Sequence, residues 1–204
     1  MLVVGLTGGI ASGKSTAAGI LQANGAPVIS ADQLARAVVA PDEPGLRAVV
    51  EAFGREFLLP NGTLDRAQLG SLIFVDVEAR RKLEGLLHPM VLQRMVAVLR
   101  AWESDGVPVA VCEIPLLFEV GLHENGSFID RTWLVYVTEG EQLRRLMARD
   151  GLTEVQAAQR LAAQWPLARK RQLADVVLDN EGTRGDFTVR VAEAWNALLA
   201  EVRS

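Results

Sequence analysis

The sequence predicts an α/β fold, a five-stranded parallel sheet flanked by helices, in one domain of 204 residues. Three observations predict it. Five short apolar runs recur with helical patterns between them, and most are continuous rather than alternating, as strands covered on both faces require. The first run breaks into a glycine-rich turn and resumes as a helix. The length suits one sizeable core with an inserted lobe, not two full domains.

The first strand is LVVGL at 2–6, and the first helix runs from Ser15 to Gln22. Between them Gly8, Gly13, Lys14 and Ser15 stand in the spacing G-x-x-x-x-G-K-[ST]. At average glycine usage this arises by chance in roughly one chain in a hundred of this length. Gly8 and Gly13 let the backbone turn with its N–H groups inward, and the helix adds its positive end. With Gly9, Ala11 and Ser12 in the same ring, the segment predicts a phosphate cradle. Lysine occurs only at 14, 82 and 170 in a chain otherwise basic through arginine. A compact ammonium at Lys14 fits between the β and γ oxygens of a nucleoside triphosphate, where a guanidinium fork is too wide. Ser15 is expected to offer its hydroxyl to Mg²⁺, and Thr16 to hold an inner phosphate.

The second strand is PVIS at 27–30, and Asp32 follows it on the rim that a parallel sheet shares with the phosphate loop. Two readings fit Asp32: a base for an acceptor hydroxyl, or the N-cap of the helix QLARAVVA. The interval 31–106 is too long for one crossover and predicts a helical lobe, with Asp65 and Asp76 as N-caps. His88 precedes Pro89 and marks a bend between two helices, where a histidine serves either local hydrogen bonding or a ligand.

The third strand, PVAVCEI at 108–114, carries the single cysteine, Cys112, read as a core thiol, and Glu113, which can support the metal through water. Pro115, Leu116, Leu117 and Phe118 follow as an apolar rim loop that either grips a substrate or packs, with Glu119 as a loop anchor. After the fourth strand, TWLVYV at 132–137, the interval 139–174 reads as two helices, with Gly151 ending one and Thr153 capping the next. Between Gln142 and Gln172 stand seven basic residues and two acidic ones, in a chain of net charge −4. A lid over transferring phosphate is the functional reading, with Arg149, Arg145 and Arg160 as its charges. Arg169, Lys170 and Arg171 are read as solvated bystanders. The fifth strand is DVVLDN at 175–180. The expected division is a core at 1–30, 107–138 and 175–204, a helical lobe at about 31–106 and a lid at about 139–174.

Other classes find little support. The net charge argues against a general nucleic-acid or membrane surface, and base-stacking aromatics are scarce. No apolar stretch is long enough to span a bilayer and no export signal opens the chain, so the cytoplasm is expected. There is no guanine-reading N-K-x-D segment, no zinc-ligand cluster and no serine-hydrolase motif. Oligomeric state leaves no trace in the sequence. An ATP-dependent small-molecule kinase leads; a kinase for another metabolite or a nucleoside, and a phosphate-binding regulatory module, stay open.

The segments LTGGIASGKST, ADQLAR, GTLDRAQLGSLIF, LLHPM, IPLLFE, QLRRLMARDGLT, RLAAQ and ADVVLDNEG, in this order, resemble the dephospho-CoA kinase family over nearly the whole chain. The resemblance implies a P-loop fold like that of the nucleoside-monophosphate kinases, with a helical lobe for dephospho-CoA and a lid over ATP. The ribose 3'-hydroxyl is then the acceptor. It further implies Asp32 as base, Lys14 and Ser15 on phosphate and metal, and Arg149 as the lid arginine. His88 and Pro115 to Glu119 fall on the acceptor side, and Asn180 near the nucleotide.

Overall fold

The computed structural model describes residues 1–124 and 126–203. The strands are β1 (Leu2–Gly8), β2 (Val28–Ser30), β3 (Val109–Glu113), β4 (Arg131–Tyr136) and β5 (Val176–Asp179). They form one parallel sheet in the order β2-β3-β1-β4-β5. All five expected runs are strands. β1 extends two residues beyond its expected end because Thr7 and Gly8 keep pairing with Leu134 and Val135 of β4.

From β1 the chain crosses β3 to reach β2, and from β3 it crosses β1 to reach β4. Strand order therefore reverses at β1, and a crevice for a ligand opens at the carboxyl ends there. Two aspartates secure the opposite ends of the strands. Asp130 accepts from the backbone of Val3 at 2.7 Å, and Asp175 from the backbone and hydroxyl of Thr132 at 2.7 and 2.8 Å.

Two helices cover one face of the sheet, α1 (Lys14–Ala23) after the glycine loop and α9 (Arg184–Arg203) at the end of the chain. Val4, Leu6, Leu21, Trp133, Phe187 and Val191 are among the residues that close the core between them and the strands. Burial of this kind yields about 1.5–3 kcal/mol per large apolar side chain. The indole of buried Trp195 donates to the Asn24 carbonyl at 3.2 Å, so its polar atom is not stranded. Cys112 is buried in β3, and burial pushes its thiol up to about 12, which makes it an inert core residue.

By packing, the chain divides into Met1–Ser30 with Ala101–Ser204, and Ala31–Arg100. The second unit comprises α2 (Ala31–Ala37), α3 (Pro44–Phe53), a short 3₁₀ turn (Arg55–Phe57), α4 (Arg66–Val75) and most of α5 (Val77–Ser104). Asp65 caps α4 by accepting from Gln68 at 2.9 Å, and Asp76 caps α5 by accepting from Glu78 and Ala79 at 2.9 and 3.0 Å. The expected bend at His88 is absent, for α5 runs unbroken through Pro89. Pro89 and Gly85 are both exposed, so water can satisfy the carbonyl that the proline leaves without a donor.

The interval 139–174 forms α6 (Glu139–Asp150), α7 (Glu154–Ala162) and the single turn α8 (Leu167–Arg171). Gly151 ends α6 in the left-handed region at φ 66°, and Thr153 opens α7 with a full capping box to Gln156. The two-helix expectation therefore gains a third short element.

Candidate active site

β1 delivers the chain to the crevice, and the loop from Gly9 to Gly13 turns it into α1. Ala11 at φ 59° and Gly13 at φ 97° are both left-handed, the alternation that converts successive N–H groups into a concave anion nest. Gly8 and Gly13 are also constrained by their neighbours. A β-carbon at Gly8 would strike the Ser12 hydroxyl, and one at Gly13 the Asn180 amide. No side chain caps α1 and no acidic residue occupies its first turn, so its amides remain available to an anion. Buried Ser12 keeps a hydroxyl with no hydrogen-bond partner among the described residues.

Lys14 and Ser15 open α1. The Ser15 hydroxyl donates to Glu113 Oε1 at 3.2 Å, and Glu113, buried at the carboxyl end of β3, pairs in register with both Leu6 and Ser30. A hydroxyl and a carboxylate therefore meet where the sheet order reverses. Thr16 is exposed beside them.

Asn180, just beyond β5, donates from its amide to the Ser12 carbonyl at 2.8 Å, and its own carbonyl accepts from Arg145 at 2.8 Å. Its side chain thus holds the phosphate loop from behind. Arg145 is also bound at 2.6 Å to Glu141, which Arg144 grips at 2.7 Å. Hydrogen bonds from Arg144 and then Arg145 hold the Glu141 carboxyl down to about 2. Arg149, half exposed, pairs with Asp150 at 2.7 Å, and Arg160 reaches the same carboxylate at 2.8 Å. Arg149 above all holds Asp150 below its ordinary value. Of Arg145, Arg149 and Arg160, the first lies against the phosphate loop, while the other two are gathered at the helix break.

Two glutamines without a motif reach the same loop. Gln142 of α6 donates to the Ile10 carbonyl at 2.8 Å, and the Ile10 N–H donates to Gln164 Oε1 at 2.9 Å. A cavity of about 420 Å³ under α7 has both glutamines in its wall, with Tyr136, Leu161, Trp165 and Leu167.

The loop after β3 follows the packing alternative at its centre and the anchor reading at Glu119. Leu117 and Phe118 are buried and offer no surface to a substrate, so their role is packing. Gly5 lacks a side chain where Leu117 lies over β1, and the Phe118 ring meets His123 edge-on at 5.0 Å. Pro115 and Leu116 keep partial exposure. Glu119 accepts from the Trp165 N–H at 3.1 Å and pairs with Lys170 at 2.7 Å, so its carboxylate anchors the loop rather than facing a substrate. Lys170, expected to be a bystander, is fully buried, and its neighbours stack on aromatic rings, Arg169 on Trp165 at 3.4 Å and Arg171 on Tyr136 at 4.9 Å. In the other unit, Asp32 is exposed in the first turn of α2 and His88 is exposed on α5. Nothing in the residue pattern pointed to Gln142, Gln164 or the burial of Lys170, because glutamine on a helix carries no spacing signal and a basic run reads as a solvated face.

Residues 2–186 match the sequence model of the dephospho-CoA kinase family. The dephospho-CoA kinase of Geobacillus kaustophilus is 48% identical over 200 residues, 97% of this chain and 98% of that protein. That of Shouchella clausii is 49% identical over 191 residues, 94% of this chain and 95% of the relative. Among solved structures, TT1252 from Thermus thermophilus superposes with a TM-score of 0.77 at 37% identity, over 98% of this chain and 97% of that one. The dephospho-CoA kinase from Campylobacter jejuni gives 0.72 at 27% identity, over 96% of both chains.

Proposed function

The chain belongs to the dephospho-CoA kinase family, and from that premise we propose which residues carry its reaction, transfer of the γ-phosphoryl group of ATP to the ribose 3'-hydroxyl of dephospho-CoA to give coenzyme A and ADP. The observation that carries the proposal is the Ser15–Glu113 contact at 3.2 Å beside a loop with left-handed Ala11 and Gly13.

The loop amides and the Lys14 ammonium hold the β- and γ-phosphates, while Thr16 holds an inner one. Asp32 accepts the proton of the 3'-hydroxyl as its oxygen bonds to the γ-phosphorus and the bond from phosphorus to the β,γ-bridging oxygen breaks. Support for Asp32 comes from its position two residues past the end of β2, the strand whose last residue pairs with Glu113. Arg145 and Arg149 supply positive charge for the equatorial oxygens, Arg149 after leaving Asp150. His88, Pro115 and Leu116 serve the acceptor.

Ser15 and Glu113 suit Mg²⁺. The ion keeps several waters and takes phosphate oxygens, so one hydroxyl and one carboxylate suffice, and the described residues hold no cluster of three or more His, Cys, Asp or Glu that would suggest another metal. Held by these two groups, the ion would supply positive charge to the phosphates being transferred. No helix among the described residues is long and apolar enough to cross a membrane.

The test is ADP release from Mg-ATP with dephospho-CoA, adenosine, uridine and gluconate offered separately. Activity confined to dephospho-CoA is expected, and equal activity with adenosine would reassign the acceptor. Lys14→Ala is expected to lower turnover more than ATP affinity, because its charge matters most as the γ-phosphate departs. Steady-state kinetics showing only a raised KM would remove that role.

A further inference from the structure

A trans peptide points its C=O and the following N–H in opposite directions, so a partner that fixes one fixes the aim of the other. Three peptides of the phosphate loop are held this way. The Gly9 carbonyl accepts from Ser12 N–H at 3.2 Å within the loop, and the Ile10 N–H of the same peptide points outward to Gln164 at 2.9 Å. The Ile10 carbonyl is drawn outward by Gln142 at 2.8 Å, which turns the Ala11 N–H the opposite way. The Ser12 carbonyl is held by Asn180 at 2.8 Å, which does the same for the Gly13 N–H.

Gln142 lies on α6 and Gln164 just beyond α7, and together they take both polar groups of Ile10. Gln142 is buried, and Gly9 has no side chain where a β-carbon would collide with its amide. Besides these hydrogen bonds, the Glu119 contacts to Trp165 and Lys170, buried Leu167 beside Gly9 and Arg171 stacked on Tyr136 help to seat the segment 139–174, while a cavity lies under α7.

We propose that Gln142 and Gln164 are positioning residues that aim the Ala11 amide and the rest of the nest, so that the seating of the lid segment sets the affinity of the loop for nucleotide phosphate. This rests on the reading above that residues 8–16 hold the phosphates of ATP. The side-chain chemistry makes the two glutamines unequal. Gln164 is used as an acceptor, and Gln164→Glu keeps an acceptor. Gln142 is used as a donor, and Gln142→Glu sets a carboxylate against the Ile10 carbonyl oxygen.

The test measures kcat, KM for ATP and KM for dephospho-CoA in Gln142→Leu, Gln164→Leu and the two glutamate variants, with thermal unfolding to confirm folding and Lys14→Ala as reference. Each leucine variant is expected to raise KM for ATP about five- to tenfold, with KM for dephospho-CoA within about twofold of the parent. Gln164→Glu is expected to retain most of the ATP affinity and Gln142→Glu to lose it. This asymmetry is read from the glutamate pair alone if a leucine variant does not fold. Equal behaviour of the two glutamate variants, or unchanged KM for ATP in both leucine variants while Lys14→Ala is crippled, overturns the proposal. Normal turnover by Lys14→Ala instead overturns the phosphate-loop reading itself, and the inference with it.

Discussion

At the scale of single residues, the chemistry divides between groups whose role follows from their kind and groups whose role follows from their neighbours. Asp32 belongs to the first kind: an exposed carboxylate in the first turn of α2, where a negative charge is also favoured by the helix dipole. Asp32→Ala is expected to fold and to bind ATP, yet to lose transfer about a hundred- to ten-thousand-fold, the usual worth of a general base. Wild-type turnover by that variant in the ADP-release assay would end the assignment. Glu119 belongs to the second kind. The same carboxylate chemistry that could face a substrate is consumed by Lys170 and the Trp165 amide. A rim loop and a loop anchor are indistinguishable until the partner residue, far along the chain, is in place.

At the scale of elements, α6 and α7 carry their boundaries in their own residues. Thr153 accepts from Gln156 N–H at 3.3 Å while Gln156 Oε1 accepts from the Thr153 backbone at 3.0 Å. Thr153→Ala is expected to cost about 1 kcal/mol, seen as faster amide exchange confined to the first turn of α7. Protection unchanged in that turn would show that the cap contributes nothing. In α6, Arg144 and Arg145 hold the Glu141 carboxyl at about 2 against an ordinary value of 4.5. A carboxyl whose value is depressed on folding stabilises fully above its unfolded value, and the contribution fades as pH falls toward the folded one. The melting-temperature difference between the parent and Glu141→Gln is therefore expected to stay level from about pH 8 to about pH 5 and to shrink below that. A difference that grows on acidification contradicts the pairing.

At the scale of the whole molecule, distant parts of the chain are tied through Lys170. Its ammonium is fully buried, and its ion pair with Glu119 joins α8 to the loop after β3, in which Leu117 packs back over β1. Removing one member of a buried pair strands the other charge. Lys170→Met is expected to cost about 3–5 kcal/mol in denaturant unfolding, and Lys170→Met with Glu119→Gln to recover part of it. Additive losses in the double variant would mean that the two residues do not act as a pair.

The sequence by itself determined the strands, the phosphate loop, the caps at Asp65, Asp76 and Thr153, and the family. These are written in local periodicity, in glycine and cap chemistry, and in motif order, which need no knowledge of the rest of the chain. Only the tertiary structure decided that α5 continues through Pro89, that Leu117 and Phe118 are interior, and that Lys170 is buried. It alone brought Gln142, Gln164 and Asn180 to the back of one loop. Those outcomes depend on which surfaces face water and which distant groups meet. A proline is tolerated when its orphaned carbonyl is wet, and a lysine can be buried when a carboxylate some fifty residues away in sequence is brought to 2.7 Å from it.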